Sequence, residues 1–105
     1  MDKIPNRVKE TINRYIQALE KNRIPIERAV LFGSYVTGKF TEWSDIDIAL
    51  VSEAFEGVRM NDRNKIRRIT LSISSDLEPL PFRPEDFNPS DPFVREILET
   101  GVTIK

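Results

Sequence analysis

The sequence contains no cysteine and no histidine. The first absence excludes a disulfide framework and a thiolate zinc site; the second removes imidazole as a metal ligand and as a general acid or base. Any chemistry must rest on carboxylates and hydroxyls. An excess of one charge is also missing, because 16 Lys and Arg stand against 17 Asp and Glu, a net charge of −1. Without a global basic field, direct nucleic-acid binding is not expected, and any anion has to be held locally. Long apolar runs are lacking too. The opening MDKIPNRVKE has no signal-peptide core, and no stretch approaches the roughly 20 apolar residues of a membrane span. The expected setting is cytoplasmic, with no membrane partner.

What is present is enough for one domain. A chain of 105 residues is expected to fold as a unit over 1–105 and to bury about two thirds of its unfolded surface. Ile4, Val8, Ile12, Ile16 and Leu19 recur at helical spacing and predict an amphipathic first helix whose stripe is core material. Arg28 to Phe32 reads as a buried strand that runs into a Gly33-Ser34 turn, with Ser34 placed to cap a short helical turn over Tyr35 to Gly38. Ser44 to Val51 reads as a second, central strand, with Ile46, Ile48 and Leu50 on one face and Asp45, Asp47, Ala49 and Val51 on the other. A helix over 58–73 follows. Residues 76–82 form a third strand, which Pro79 and Pro81 push to an edge. Asp91-Pro92 starts a last helix that Gly101 stops before a terminal strand over 102–104. The order predicts an α/β (α+β) domain with a small mixed β-sheet flanked by helices.

The chemistry lies in LFGSYVTGKFTEWSDIDIALV, residues 31–51. Two acids one residue apart in a half-buried strand are a liability unless a cation or a proton accounts for them. On an extended strand, residues i and i+2 project the same way about 6.6 Å apart, so Asp45 and Asp47 can reach one or two divalent ions. Oxygen donors without imidazole or thiolate favour Mg²⁺ or Mn²⁺. Taken alone, the pair also fits a Ser-Asp turn followed by a solvated strand residue. The companion turn favours the first alternative: Gly33 permits close backbone approach, and free amides with the Ser34 hydroxyl make a seat for phosphate oxygens. A triphosphate seated there would meet cations held by the acids, the combination that displacement at phosphorus requires.

Gly33-Ser34, ten residues, then Asp45-Ile46-Asp47, with a strand on each side, resembles the signature of the nucleotidyltransferase superfamily with a DNA-polymerase-β-like palm. The small size is similar to its minimal nucleotidyltransferase branch. The resemblance implies metal-dependent transfer of a nucleoside monophosphate, usually AMP from ATP, to a hydroxyl. It implies Asp45 and Asp47 as metal ligands, Gly33 and Ser34 as the nucleotide seat, and a third acid from a neighbouring strand as ligand and base. Asp76 and Glu78 are the candidates. Glu78 is favoured, since it lies inside the strand while Asp76 sits at a junction where Asp is a common turn residue. Two positions depart from the family: Tyr35 stands where Arg is common, and Lys39 where an acid is usual.

Members of that branch are often paired with a small helical HEPN-type toxin, so the resemblance implies an antitoxin that modifies a partner tyrosine. The rival is a non-catalytic binding module that neutralises by occlusion; loss of an acid would mark it, and none is lost. Arg59, Arg63 and Arg67 lie at i, i+4 and i+8 and read better as a solvated helix face than as a grip on phosphate or RNA. Trp43 is expected to pack on the core more readily than to stack on a base. Tyr35 is open between a phosphate donor and a surface residue.

Overall fold

The computed structural model describes residues 4–105. Along the chain run α1 (Asn6–Lys21), β1 (Arg28–Phe32), α2 (Ser34–Thr37), β2 (Ile46–Val51), α3 (Arg59–Ile73), β3 (Leu77–Phe82), a 3₁₀ turn (Pro84–Asp86), α4 (Pro92–Thr100) and β4 (Val102–Thr103). The sheet order is β3-β2-β1-β4. β1 runs antiparallel to β2 and β4, whereas β2 and β3 are parallel, as strands joined by a crossover helix must be. The expected mixed sheet is present, with β2 central and β3 at an edge.

Two apolar layers form because β2 is apolar on both faces. Ile46, Ile48 and Leu50 join Leu31 and Leu77 against α1 and α3; Ala49 and Val51 join Val30 and Phe82 against Val94 and Ile97 of α4. On α1 the buried set is Val8, Ile12, Tyr15, Ile16 and Leu19. Tyr15 enters the core because its hydroxyl meets Thr70 Oγ1 at 2.6 Å, which satisfies the one polar atom that would forbid burial. The desolvated phenol is pushed up to about 12.

Several boundaries differ from the sequence expectation. α1 begins at Asn6 after Pro5, and Ile4 packs ahead of it. β2 begins at Ile46, which leaves Asp45 in the loop before the strand. Ser34 is the first residue of α2 rather than its cap; Gly33 holds the cap position at φ 80°, and no side chain caps the helix. The loop from β2 to α3 is organised by Asp62, a fully buried acid whose two carboxylate oxygens accept from the Glu56 and Gly57 amides at 2.8 and 2.9 Å.

The prolines of β3 have a definite geometry. The Asp76 and Phe82 carbonyls accept from the Ile46 and Ser52 amides at 2.8 and 3.1 Å, so the even positions face β2. Pro79 and Pro81 therefore stand where the amides would point away from the sheet, and the free edge loses two donors.

Candidate active site

Because β1 runs antiparallel to β2 while β3 runs parallel to it, the end of β1 and the starts of β2 and β3 come together. Asp47 is the register partner of Phe32 on one side and of Glu78 on the other. One corner of the sheet thus collects Gly33, which follows Phe32, Asp45 and Asp47 at the head of β2, and Asp76 and Glu78 at the head of β3. Asp76 lies in the turn before β3 and is exposed; Glu78 is inside the strand and half-buried.

Asp47 carries the electrostatic cost of this corner. Asp47 is half-buried, and desolvation raises its pKa above the usual carboxylate value, with further upward contributions from Asp45 and Glu78. Burial is the larger cause, and the neighbouring negative charges add to it. Gly33 makes the crowding possible. A Cβ on Gly33 would stand 2.2 Å from Asp47 Oδ2, so the carboxylate lies directly over the glycine backbone. The glycine expected to open a phosphate seat also makes room for the acid beside it.

Among the described residues, no three acids stand close enough together to hold a metal ion by themselves. Glu78 is already paired: Arg63 of α3 donates to its Oε2 at 2.9 Å. The two remaining acids still form an oxygen-only set. Mg²⁺ and Mn²⁺ suit such a set, since they are commonly held by one or two carboxylates with water and substrate phosphates completing the shell. The Ser34 and Tyr35 amides precede the first bonds of α2, which run from Val36 and Thr37 to the Gly33 carbonyl at 3.0 and 3.1 Å.

Two readings around this corner change. Tyr35 is not a surface residue: it is 3% exposed, stacked on Phe40 with ring centroids 4.8 Å apart, and the Arg7 guanidinium lies 5.8 Å from its ring centroid. The Arg7 guanidinium also reaches the Tyr35 hydroxyl at 3.4 Å. Trp43 does not pack on the core but is 83% exposed in the loop before Asp45. The α3 arginines Arg59, Arg63 and Arg67 form an exposed helix face as expected, and two of them also reach neighbours: Arg59 lies over the Phe82 ring at 5.8 Å and Arg63 holds Glu78. The Arg63 pairing left no trace in the sequence beyond a basic residue on the helix that leads into β3.

A small mixed sheet that gathers acids beside a Gly-Ser turn has the architecture of a nucleotidyl-transferring domain. The chain belongs to the nucleotidyltransferase domain family, whose match spans residues 10–103. It is 44% identical over 45 residues to a Methanocaldococcus jannaschii protein named "putative protein adenylyltransferase", a stretch covering 42% of this chain and 45% of that protein. The chain thus spans less than half the length of that relative. In fold it is similar to a crystal structure described as a "putative nucleotidyltransferase" from Sulfolobus solfataricus, with a TM-score of 0.63, 17% identity, and coverage of 92% of this chain and 78% of that one. A toxin-antitoxin structure with AMP-PNP is similar at a TM-score of 0.61 and 22% identity, covering 92% and 72%. At these identities the likeness is one of fold. No helix of the described residues is long and apolar enough to cross a membrane.

Proposed function

We propose that this chain is a Mg²⁺- or Mn²⁺-dependent adenylyltransferase that moves AMP from ATP to a hydroxyl, namely a tyrosine of a HEPN-type toxin partner, and so acts as an antitoxin in the cytoplasm. The observation that carries the proposal is Asp47, whose carboxylate lies over Gly33 and is pushed toward its neutral form by burial and by Asp45 and Glu78. Among the described residues no ion pair compensates that charge, and a divalent cation would. The same reading takes residues 1–105 as one minimal nucleotidyltransferase domain to which the partner brings the acceptor.

In this mechanism Asp45 and Asp47, with Glu78 as third acid, hold the cation, and Gly33 and Ser34 seat the triphosphate. When bound, the cation supplies neutralisation of the phosphate charge and of the crowded carboxylates. The acceptor oxygen forms a bond to the α-phosphorus as the bond to pyrophosphate breaks, and Glu78 accepts the hydroxyl proton.

Calorimetry with Mg²⁺ or Mn²⁺ and a non-hydrolysable ATP analogue tests the site: each should tighten binding of the other, and Asp47→Asn should abolish the effect. Metal-indifferent nucleotide binding would refute the assignment. To test the transfer, the co-encoded partner is incubated with ATP and Mg²⁺ and its mass is followed for added AMP. Glu78→Gln should slow the addition by about 10²-fold, the usual scale for a positioned base, and Asp76→Asn should do less. A larger loss in Asp76→Asn would exchange the two roles. The Arg63–Glu78 pair favours one alternative, a module that binds its partner without modifying it. A tight complex with no added mass would establish that alternative.

A further inference from the structure

Beyond the free edge of β3, between that strand and α3, lies a groove of about 660 Å³. Its wall on α3 carries Met60 and Leu71, 73% and 58% exposed, at the ends of a helical stripe with Arg67 between them. At the strand side it ends on Glu78 and the arginine that holds it. Among the described residues Arg67 has no carboxylate partner. The Arg63–Glu78 pair is nearly half-exposed on both sides, and such pairs are weak, so a second carboxylate can take Arg63 at little cost.

On the adenylyl-transfer reading above, we propose that this groove receives an acidic, apolar-studded segment of the protein that carries the acceptor hydroxyl, and that the segment, by taking Arg63, frees Glu78 toward Asp45 and Asp47. The groove offers cationic groups spaced between adaptable apolar side chains, which is complementary to carboxylates alternating with Leu-like residues. A continuous phosphate backbone matches it less well, since it would run onto Glu78 and the acids behind it, in a chain of net charge −1. Arg63 is then a positioning residue. It keeps the third carboxylate away from the site until the acceptor is docked, which limits wasteful turnover of ATP in the free chain.

The test uses the full chain and a fluorescein-labelled helical peptide of Glu, Leu and Ala with Glu and Leu on one face. Anisotropy is read without nucleotide or metal. The Glu peptide should bind more tightly than its Gln counterpart, and Arg67→Glu and Leu71→Gln should each weaken it by about fivefold, the scale of one exposed contact. Both side chains are exposed, so the variants should fold. Equal binding of the Gln peptide, tighter binding of an oligothymidylate, or indifference to both substitutions would overturn the docking.

In a second arm, Mn²⁺ binding with a non-hydrolysable ATP analogue is read by electron paramagnetic resonance. The Glu peptide should raise Mn²⁺ affinity, Arg63→Gln should raise it without peptide, and Arg63→Lys should restore dependence on the peptide. Mn²⁺ affinity unmoved by the peptide and by Arg63→Gln would overturn the release of Glu78. Absence of any Mn²⁺–nucleotide synergy in the wild type would instead overturn the transferase reading, and the anisotropy would still decide the docking.

Discussion

Replacing Gly33 by Ala should injure the fold and the acid corner together, and the two contributions can be separated. At φ 80° and ψ −149° the residue occupies a region essentially reserved for glycine, and holding a side chain there costs about 1–3 kcal/mol. The added Cβ would also meet Asp47 Oδ2 at 2.2 Å and Cγ at 3.1 Å. The carboxylate has to swing aside, at about 0.5–1.5 kcal/mol if it is driven off a rotamer. Together these give a loss of roughly 2–4 kcal/mol, or about 10–20 °C in melting temperature for a domain of this size. Gly38 is the control, because it also has positive φ, at 82°, but a Cβ there would meet nothing within 4 Å. Gly38→Ala should lose only the left-handed penalty of about 1–2 kcal/mol. Thermal unfolding by circular dichroism compares them. In an Asp47→Ala background the clash with the carboxylate should vanish, while the 3.3 Å contact with the retained Cβ and the backbone part remain, leaving a coupling of at least about 0.5 kcal/mol. Should Gly33→Ala melt no lower than Gly38→Ala, or add to Asp47→Ala without coupling, the close approach of turn and acid would be refuted.

Asp62→Ala should cost about 1–3 kcal/mol, since two part-buried amides lose a charged acceptor, and hydrogen exchange at Glu56 and Gly57 should accelerate more than elsewhere. Asp62→Asn, which keeps one acceptor oxygen, should lose less; equal losses would show that the carboxylate is not what organises the loop. Tyr15 should ionise near 12 in ultraviolet difference titration. The folded state keeps this proton after the unfolded state has lost it, so stability should fall as pH rises from about 10 to about 12. Tyr15→Phe should remove that part of the dependence, and an unchanged alkaline slope would refute the assignment. Trp43→Ala should change stability by no more than about 0.5 kcal/mol, because the ring is 83% exposed; a larger loss in denaturant titration would mean that it packs after all.

The sequence was informative where a side chain's role is decided by its near neighbours along the chain. The α1 stripe, the two apolar faces of β2, the edge position of β3 and the Asp91-Pro92 helix start all follow from spacing or from proline and glycine chemistry, and all appear in the fold. What escaped depends on partners distant in sequence. Tyr15 is buried because Thr70 lies 55 residues away. Asp62 stands in a charged helix where an acid looks solvated until the preceding loop folds over it. Tyr35 was ambiguous because its burial depends on Phe40 and Arg7 together. Alternation alone places the head of β2 two residues too early, because Ser44 and Asp45 continue the alternation without continuing the strand. At the acid corner, the Gly33-Ser34 to Asp45-Asp47 spacing anticipated which chain segments meet, but not that Arg63 would hold Glu78.

The two outward prolines of β3 determine in what language this molecule can be recognised on that side. A strand edge with its amides intact can be lengthened by almost any extended peptide, since backbone hydrogen bonds ignore sequence. With Pro79 and Pro81 at two of the three outward positions, that indiscriminate pairing is much weakened, both for a second copy of the chain and for stray unfolded segments. Whatever approaches from there has to be met by side chains. On the docking proposed above, choice of partner on that face is separable from the sheet itself, and single substitutions on α3 should retarget it while the strand beneath stays as it is.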